Sequence, residues 1–484
     1  MAPGITIIGL GPGDPDVITR QAWRALELAG EVYLRTERFP GLSDLPGGTK
    51  VHTFDHLYEA QGSFQAVYQR MADELMELAR RPQGVAYAVP GDPTVGEATV
   101  GLVRQAAARE GLTLTMIPGL SFVEPSLNLI GVDALDGLSL ADAAELAGRH
   151  HPGFPPDRHV LIGQVHSQLV ASDVKLTLLN QYAADHRIAL IQGAGTAQAQ
   201  MEWLELYQLD QRQDFDVVTS VYLAPAPPGS SFESFQETVS HLRAPEGCPW
   251  DREQTHQTLR QHLLEEAYEA LEAIDQDDMA ALQEELGDLM LQLVLQTQIA
   301  TEAGDFQMGD VVRAINDKLI RRHPHVFGDV QVDEVDQVLH NWEALKAAER
   351  KAGGRQGSAL AGVPATLPAL ATALEVQSRA ARVGFDWPDR SGVLAKIAEE
   401  VEEIEQAEGE AVADELGDLL FALVNYARWR QVDPESALRQ ANSRFRQRFA
   451  QVERAAEAGG RQLSKMSIDE LEALWQEAKR LVAE

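Results

Sequence analysis

The chain has 484 residues, of which 44% are hydrophobic, so it is too long for one ordinary domain and favours two to four. Its 74 acidic and 41 basic residues give a formal charge of −33, and without a basic stripe we expect no nucleic-acid partner. The single cysteine excludes an intrachain disulfide. Because we find neither a signal peptide nor an apolar run of membrane-spanning length, we expect a cytoplasmic protein with no membrane partner.

The sequence pattern of residues 1–224 predicts an α/β domain. Helical patterns cover residues 16–29 and 64–80. Short apolar runs, several of which end in turns of Gly and Pro, occur at residues 5–10, 85–89, 114–117, 160–162, 188–191 and 217–223. The alternation of such runs with helical patterns predicts a mainly parallel sheet.

Three turns in this region carry glycine. They read Gly9-Leu10-Gly11-Pro12-Gly13-Asp14, then Pro90-Gly91-Asp92-Pro93, then Ile117-Pro118-Gly119. The first is not the G-x-G-x-x-G of a dinucleotide fold, and no G-K-[ST] of a Walker loop follows it. Glycine lets a backbone approach a ligand closely, although glycines that simply end strands are the alternative interpretation.

The order and spacing of these turns resemble the tetrapyrrole (corrin/porphyrin) methylases. That resemblance implies two α/β lobes with S-adenosylmethionine bound in the cleft between them. The cofactor-binding residues that it implies are Gly9, Gly11, Gly13, Asp14, Gly91, Asp92, Pro93 and Thr94.

Composition changes after residue 224. Residues 225–231, Pro-Ala-Pro-Pro-Gly-Ser-Ser, predict a linker. The rest is rich in Ala, Leu, Glu, Gln and Arg at helical spacing, which predicts an all-α region of helical bundles. A Gly- and Pro-containing stretch at residues 353–368 divides this region into two copies, 232–355 and 356–484.

Two acidic signatures occur twice in this helical region, in the same order. Glu265-Glu266-x-x-Glu269 precedes Glu284-Glu285-Leu286-Gly287-Asp288, and Glu399-Glu400-x-x-Glu403 precedes Asp414-Glu415-Leu416-Gly417-Asp418. Residues three and four apart share one side of a helix, so two helices joined by a short turn can direct four carboxylates to one point. Such a group requires a cation, and all-oxygen ligation suits Mg²⁺ or Mn²⁺.

A solvated acidic face is the alternative. Ile397, Val401 and Ile404 form an apolar stripe beside which the acidic residues could simply face water. We interpret Glu402 and Glu405, across that stripe, as surface residues.

These signatures, with Gly247-Cys248-Pro249-Trp250-Asp251, Arg321-Arg322-His323-Pro324 and Gly384-Phe385-Asp386-Trp387, resemble the MazG nucleoside triphosphate pyrophosphohydrolases. The resemblance implies a Mg²⁺-dependent all-α enzyme that converts NTPs into NMPs and pyrophosphate. It implies that Glu265 and Glu399 orient the ligands or a water molecule. The metal ligands that it implies are Glu266, Glu269, Glu285 and Asp288 in copy one and Glu400, Glu403, Glu415 and Asp418 in copy two.

Basic residues are needed to meet the charge of a triphosphate. Candidates lie on one predicted helix in each copy, and a surface basic helix end is the alternative. We assign catalytic roles to Lys318, Arg322, Arg444 and Arg448 and substrate binding to Asn316, Arg321 and Asn442. Trp250 and Trp387 either stack on a base or pack in a core.

The sequence therefore predicts an NTP pyrophosphohydrolase that clears non-standard or surplus nucleotides, fused to a methylase-like domain. One alternative is a methyltransferase whose helical region mediates assembly. Another is an N-terminal module that senses S-adenosylmethionine or a nucleotide and regulates hydrolysis. We expect a homodimer or higher homo-oligomer formed through the MazG helices.

Overall fold

A computed structural model of the protein describes residues 3–37, 45–46, 49–60, 64–332, 358–364 and 366–481, with 334, 337–338, 341–342 and 345 as isolated positions. The chain divides into two compact units, residues 1–242 and 243–484. No helix among the described residues is long and apolar enough to cross a membrane.

The first unit begins with a five-stranded parallel sheet of order β3-β2-β4-β1-β5. Its strands are β1 (Gly4–Gly9), β2 (Glu31–Leu34), β3 (Lys50–Thr53), β4 (Val85–Val89) and β5 (Thr113–Ile117). Its helices are α1 (Arg20–Ala29), α2 (Asp55–Ala60), α3 (Phe64–Ala79), α4 (Ala98–Glu110) and α5 (Val123–Ile130).

Both faces of this sheet are buried. Alternate residues of a strand point to opposite faces, so Ile5 and Ile7 pack in the core that contains α3 and α4 residues, whereas Ile8 packs in the core that contains Leu26 of α1. Burial on both faces explains why the predicted strands are continuous apolar runs. The carboxyl ends of β1, β4 and β5 lie together at one edge of the sheet, where the three glycine turns follow them.

A second five-stranded sheet has the order β6-β7-β10-β8-β9. Its strands are β6 (Leu138–Asp142), β7 (His159–Gly163), β8 (Arg187–Gln192), β9 (Gln200–Glu205) and β10 (Thr219–Leu223). Its helices are α6 (Ala143–Ala147) and α7 (Gln168–Leu178), which pack on one face, while α5 packs on the other. Only β6 and β7 pair in parallel, and the other three pairs are antiparallel.

The prediction of a mainly parallel sheet is therefore right for the first sheet and wrong for the second. The β8–β9 connection is short, residues 193–199, and it returns the chain as an antiparallel neighbour. Strand β9 reads Gln-Met-Glu-Trp-Leu-Glu and lies at the sheet edge, so its polar alternation differs from the buried runs.

The helix after the predicted linker, α8 (Phe232–Arg243), lies up to residue 242 in the first unit. The hydroxyls of Ser231 and Ser234 both donate to Oδ2 of Asp157, at 2.8 and 2.5 Å, and Val239 is buried. The compact unit thus extends beyond residue 224 because α8 is anchored to it.

The second unit is helical throughout its described residues. Its helices are α9 (Pro249–Glu253), α10 (Arg260–Asp275), α11 (Met279–Ala303), α12 (Met308–Arg322), α13 (Pro324–Phe327), α14 (Ala369–Arg382), α15 (Arg390–Gln406), α16 (Ala411–Trp429), α17 (Pro434–Ala458) and α18 (Ile468–Leu481). The predicted division at residues 353–368 lies partly outside the described residues.

Each acidic signature pair occupies two consecutive helices that pack against each other, α10 with α11 and α15 with α16. Residues 276–278 join the first pair and residues 407–410 the second, in agreement with a short turn of variable length. Asp278 caps α11 by accepting from the amides of Ala280 and Ala281, and Gly304 ends it in the left-handed conformation. The two caps fix the first and last residues of α11, the helix that carries Glu285 and Asp288.

Candidate functional site

The first acidic cluster consists of Glu266 on α10 with Glu285 and Asp288 on α11. One carboxylate oxygen from each of the three lies within 4.8 Å of the others. All three side chains belong to half-exposed residues, so the cluster is accessible from solvent. Two packed helices therefore bring carboxylates together from positions that are about twenty residues apart in the chain.

Like charges dominate this cluster. Burial, followed by the neighbouring carboxylates with Asp288 first, raises the pKa of Glu266 above its usual value. Burial and then Glu269 raise the pKa of Glu285. Within the described part of the chain, the charges that act on Glu266 are those of carboxylates. Oxygen donors that repel each other in this way fit a hard divalent cation such as Mg²⁺ or Mn²⁺.

The predicted ligand Glu269 is not part of the three-residue cluster. Its residue is exposed, although its charge raises the pKa of both Glu266 and Glu285. The side chain of Glu265 is 55% exposed and approaches His262, with Nδ1 of the histidine 3.8 Å from Oε2. Glu265 thus lies beside the cluster, on the helical turn that carries Glu266.

The second cluster consists of Glu400 and Glu403 on α15 with Glu415 on α16, again with one oxygen of each within 4.8 Å of the others. Glu400 is 2% exposed, and its Oε2 has no hydrogen-bond partner among the described residues. The predicted ligand Asp418 is exposed and is not part of this cluster. Each copy therefore brings together three of its four predicted ligands.

A lysine accompanies the second cluster. Nζ of Lys396 lies 2.5 Å from Glu400, 3.0 Å from Glu399 and 4.0 Å from Glu403. Hydrogen bonds to Glu400 and then Glu399 raise the pKa of Lys396. Lys396 is a residue that sequence reasoning missed, although its position four residues before Glu400 on one helix is a signal that could have identified it.

The apolar stripe of the solvated-face alternative is not a buried seam in the structure. Val401 is 43% exposed, whereas the adjacent Glu400 is buried. Glu402 and Glu405 are exposed, as predicted for surface residues.

The predicted basic residues lie on helices α12 and α17. On α12, Asn316 and Arg321 are exposed, Lys318 and Arg322 are half-buried, and the Arg322 guanidinium lies 6.0 Å from the ring centroid of Trp342. On α17, the exposed Asn442 and Arg444 precede a half-buried Arg448. Nε of Arg448 is buried and has no hydrogen-bond partner among the described residues.

Neither candidate tryptophan packs in a core. Trp250 is 55% exposed, and its ring lies edge-on to His262 with centroids 6.1 Å apart. Trp387 is 44% exposed and packs beside Gly392, where an added Cβ would lie 2.6 Å from the indole. Both indoles thus lie on or beside the helix that carries the E-E-x-x-E motif of their copy.

The three glycine turns of the first unit meet at one point. Gly11 and Gly91 exchange backbone hydrogen bonds of 3.2 and 2.7 Å. A Cβ on Gly9 would lie 2.5 Å from the amide nitrogen of Gly119 and 2.7 Å from the carbonyl of Gly91. Close packing of the turns thus explains Gly9 and Gly119 without a ligand.

Polar side chains hold these turns in place. Asp92 accepts hydrogen bonds from Thr94, from its amide at 2.8 Å and its hydroxyl at 2.5 Å, and its other oxygen accepts from the Gly119 amide at 3.1 Å. Asp14 caps a short 3₁₀ turn, Pro15–Val17, that follows Gly13. Pro93 is buried and Thr94 is exposed. Gly9, Gly11 and Gly13 are buried as well, so half of the eight predicted cofactor residues lie within the packed turns.

The second sheet contributes two loops that sequence reasoning did not assign. Gly195, between β8 and β9, packs against the first turn so closely that a Cβ would lie 2.2 Å from Cγ of Pro12. Gln164, after β7, has a φ of +64° and donates from Nε2 to the Gly96 carbonyl at 3.2 Å. A glutamine in the left-handed region is uncommon and is a structural signal that the sequence does not display.

A buried ion pair lies directly after the Gly91–Gly96 turn. Nη1 of Arg35 donates to Oε1 of Glu97 at 3.0 Å, and the Glu97 side chain is only 3% exposed. Burial, opposed by Arg35, raises the pKa of Glu97 to about 7. Oε2 of Glu97 and Nε of Arg35 are both buried without a hydrogen-bond partner among the described residues.

Comparisons with known proteins agree with this two-part architecture. The MazG nucleotide pyrophosphohydrolase domain matches residues 254–327 and 391–452. The nucleoside triphosphate pyrophosphohydrolase/pyrophosphatase MazG of Thermotoga maritima is 45% identical over 252 residues, which cover 52% of this chain and 96% of that protein. The chain belongs to the MazG family.

The MazG part is joined to a tetrapyrrole methylase domain. The Tetrapyrrole (Corrin/Porphyrin) Methylases model matches residues 4–210. An uncharacterised Bacillus subtilis protein, YabN, is 40% identical over 489 residues and covers 99% of both chains, so it shares both parts. A Thermus thermophilus uroporphyrin-III-C-methyltransferase structure, 21% identical, covers 46% of this chain and 92% of its own with a TM-score of 0.35.

Proposed function

We propose that this MazG protein is a Mg²⁺-dependent nucleoside triphosphate pyrophosphohydrolase that converts an NTP and water into an NMP and pyrophosphate. The convergence of Glu266, Glu285 and Asp288 on one point carries the proposal. The Thermotoga maritima relative, whose name states this activity, supports it. Clearance of non-standard or surplus nucleotides is the physiological role that we infer.

The carboxylates of each cluster would hold Mg²⁺ or Mn²⁺ through oxygen alone. A divalent ion held there would supply positive charge to offset the charge that develops on the phosphates and would lower the pKa of a water molecule. Glu266, Glu285 and Asp288 would hold the ion in copy one. The Glu269 carboxylate is close enough to add negative charge to the site. Glu400, Glu403 and Glu415 would hold the ion in copy two, with Asp418 as the fourth residue of the motif. Glu265 and Glu399 orient the ligands or the attacking water.

Basic and aromatic side chains then bind the nucleotide. Lys318, Arg322, Arg444 and Arg448 bind and polarise phosphate oxygens, the lysine through its ammonium charge and the arginines through their forked guanidinium groups as well. Asn316, Arg321 and Asn442 position the substrate. Trp250 and Trp387 are exposed beside their helices and offer a face on which a base stacks.

We also infer that two copies of the chain complete the sites. Helix α12, which carries the predicted phosphate-binding residues of copy one, contains no buried residue. Its apolar residues Val311, Val312, Ile315, Leu319 and Ile320 are 42–50% exposed. A helix with so much exposed apolar surface is stabilised when it packs on another helix. A homodimer that covers α12 would bring its basic residues to an acidic cluster.

S-adenosylmethionine binding by the first unit is the second candidate function. The observation in its favour is that all three glycine turns converge and are covered by loops of the second sheet. Calorimetry on the full chain is expected to give saturable binding that Asp92→Ala weakens, because Asp92 holds the Thr94 and Gly119 turns together. Asp16→Asn, at an exposed site in the same region, is the control. Heat that does not saturate would argue against a cofactor site.

Pyrophosphate release from a panel of NTPs and dNTPs tests the proposed hydrolase. We expect release that requires Mg²⁺ or Mn²⁺ and stops in excess chelator. With copy two silenced by Glu400→Gln and Glu415→Gln, Glu266→Gln with Asp288→Asn removes two ligands of copy one, and misplacing a phosphate in this way costs on the order of 100-fold in the rate of that copy. Glu284→Gln, exposed on the same helix, is the matched control. Full activity in chelator would overturn the proposal.

A further inference from the structure

The two acidic clusters differ in one charge. In copy two, the Lys396 ammonium contacts Glu400 at 2.5 Å and approaches Glu403 at 4.0 Å, so it lies against two of the three converging carboxylates. It also holds Glu399 at 3.0 Å. A single ammonium therefore neutralises part of the charge that would otherwise attract a divalent ion.

Copy one has histidine at the related position. His262 lies four residues before Glu266, as Lys396 lies four residues before Glu400. Its Nδ1 is 3.8 Å from Glu265, which is outside the converging trio, and its ring contacts Trp250. Among the described residues, the first trio thus has no counterpart of the Lys396 contacts.

Glu400 connects the lysine to the metal site. It is 2% exposed, Oε1 is held by Lys396, and Oε2 is buried with no hydrogen-bond partner among the described residues. A buried carboxylate oxygen without a partner is costly, and a cation at that oxygen would remove the cost. The lysine and the divalent ion therefore act on the same carboxylate.

We propose that Lys396 is a built-in counter-ion that competes with the divalent metal for Glu400 and Glu403. This inference rests on the proposed metal-dependent function. It makes the second copy the weaker metal site, so that copy one loads at lower metal concentration than copy two. The bound lysine keeps the carboxylates of copy two paired until the metal concentration is high enough to displace it.

Titration of the full-length protein with Mn²⁺, in which free Mn²⁺ is counted by electron paramagnetic resonance without nucleotide, tests the proposal. Glu266→Gln with Asp288→Asn first silences copy one. In that background Lys396→Met keeps side-chain length and removes the charge, whereas Lys396→Arg keeps the charge. Removing the ammonium charge beside Glu400 and Glu403 is expected to strengthen Mn²⁺ binding by about tenfold or more in the Met variant. The Arg variant is expected to bind like its parent.

A reciprocal variant protects the test against a folding defect in Lys396→Met. With copy two silenced by Glu400→Gln and Glu415→Gln, His262→Lys places an ammonium beside the first trio on an accessible helix surface. We expect Mn²⁺ to bind this variant about tenfold more weakly. If neither Lys396→Met nor His262→Lys changes the Mn²⁺ affinity of its parent protein, the inference about Lys396 is wrong and the proposed metal sites are unaffected. Failure of either cluster to bind millimolar Mn²⁺ would overturn the proposed metal sites as well.

Discussion

At the scale of single residues, Glu97 is the most perturbed carboxylate of the first unit. It follows the Gly91–Gly96 turn, precedes α4 without a side-chain cap bond and is paired with Arg35. Tyr58, Tyr68 and Tyr87 each interact electrostatically with Arg35 and Glu97, and burial raises the pKa of each phenol. Burial rather than a charge partner therefore governs the behaviour of Glu97.

The first unit is expected to lose stability as the pH rises from about 4.5 through 7. The pKa of Glu97 is about 7 in the folded chain against an ordinary 4.5, so its contribution is fully present below pH 4.5 and is lost as the folded group ionises. At about 1.4 kcal/mol per pKa unit, the difference is on the order of 3 kcal/mol. Scanning calorimetry measures this loss. The unfolding transition of the first unit is followed from pH 4.5 up to the pH above which its stability no longer changes.

Glu97→Gln supplies the control for that experiment. It is expected to flatten the pH dependence of the first-unit transition and leave the second-unit transition unchanged. A variant that keeps the wild-type slope would show that another group is responsible.

At the scale of elements, the contact between the glycine turns leads to a second prediction. Gly9→Ala places a Cβ against the backbone of Gly91 and Gly119, which cannot move aside as a flexible side chain can. We expect a loss of about 1–3 kcal/mol in the stability of the first unit. Urea unfolding measures this loss.

Gly101→Ala is the matched substitution. Gly101 lies inside α4, and a Cβ added there would meet no heavy atom within 4 Å beyond the backbone of its own helix. Alanine at this position is expected to stabilise the helix by about 0.5–1 kcal/mol. Equal effects at the two glycines would contradict the close packing of the turns.

Helical phase gives a third prediction, in copy two. In a background with copy one silenced and Mg²⁺ saturating, Glu403→Gln or Glu415→Gln is expected to reduce pyrophosphate release by on the order of 100-fold. Glu402→Gln and Glu405→Gln alter exposed positions and are expected to leave it unchanged. A background without activity before any second-copy change would assign turnover to copy one.

The sequence predicted these elements unevenly, for physical reasons. Buried parallel strands such as β1 and β4 read as apolar runs, whereas β9 at a sheet edge alternates Gln, Glu and Trp and was missed. Helical spacing placed Glu266 and Glu285 on facing flanks, and the same spacing, applied to Lys396 and Glu400, could have identified the lysine that was missed. The φ of Gln164 and the burial of Glu97 depend on contacts between distant segments, which spacing does not encode.

At the scale of the whole molecule, the boundary between the two units is itself testable. We propose that residues 1–242, rather than 1–224, form the stable N-terminal fragment, because Ser231, Ser234 and Val239 anchor α8. Burying a side chain such as Val239 contributes about 1.5–3 kcal/mol, to which the hydroxyl bonds to Asp157 add. The longer fragment is expected to melt at a higher temperature in circular dichroism. Equal melting temperatures would place the anchor elsewhere.

The Lys396 ammonium has a consequence for local opening in the absence of metal. In copy two it holds Glu399 and Glu400 of α15, so part of the negative charge of that cluster is neutralised without any ion. In copy one the α11 carboxylates repel Glu266, and a bound cation would relieve that repulsion. After chelation, amide hydrogens of α10 and α11 are therefore expected to exchange faster than those of α15 and α16. Added Mg²⁺ is expected to slow exchange more in the first pair than in the second, so the local stability of the two duplicated helix pairs depends on metal to different degrees.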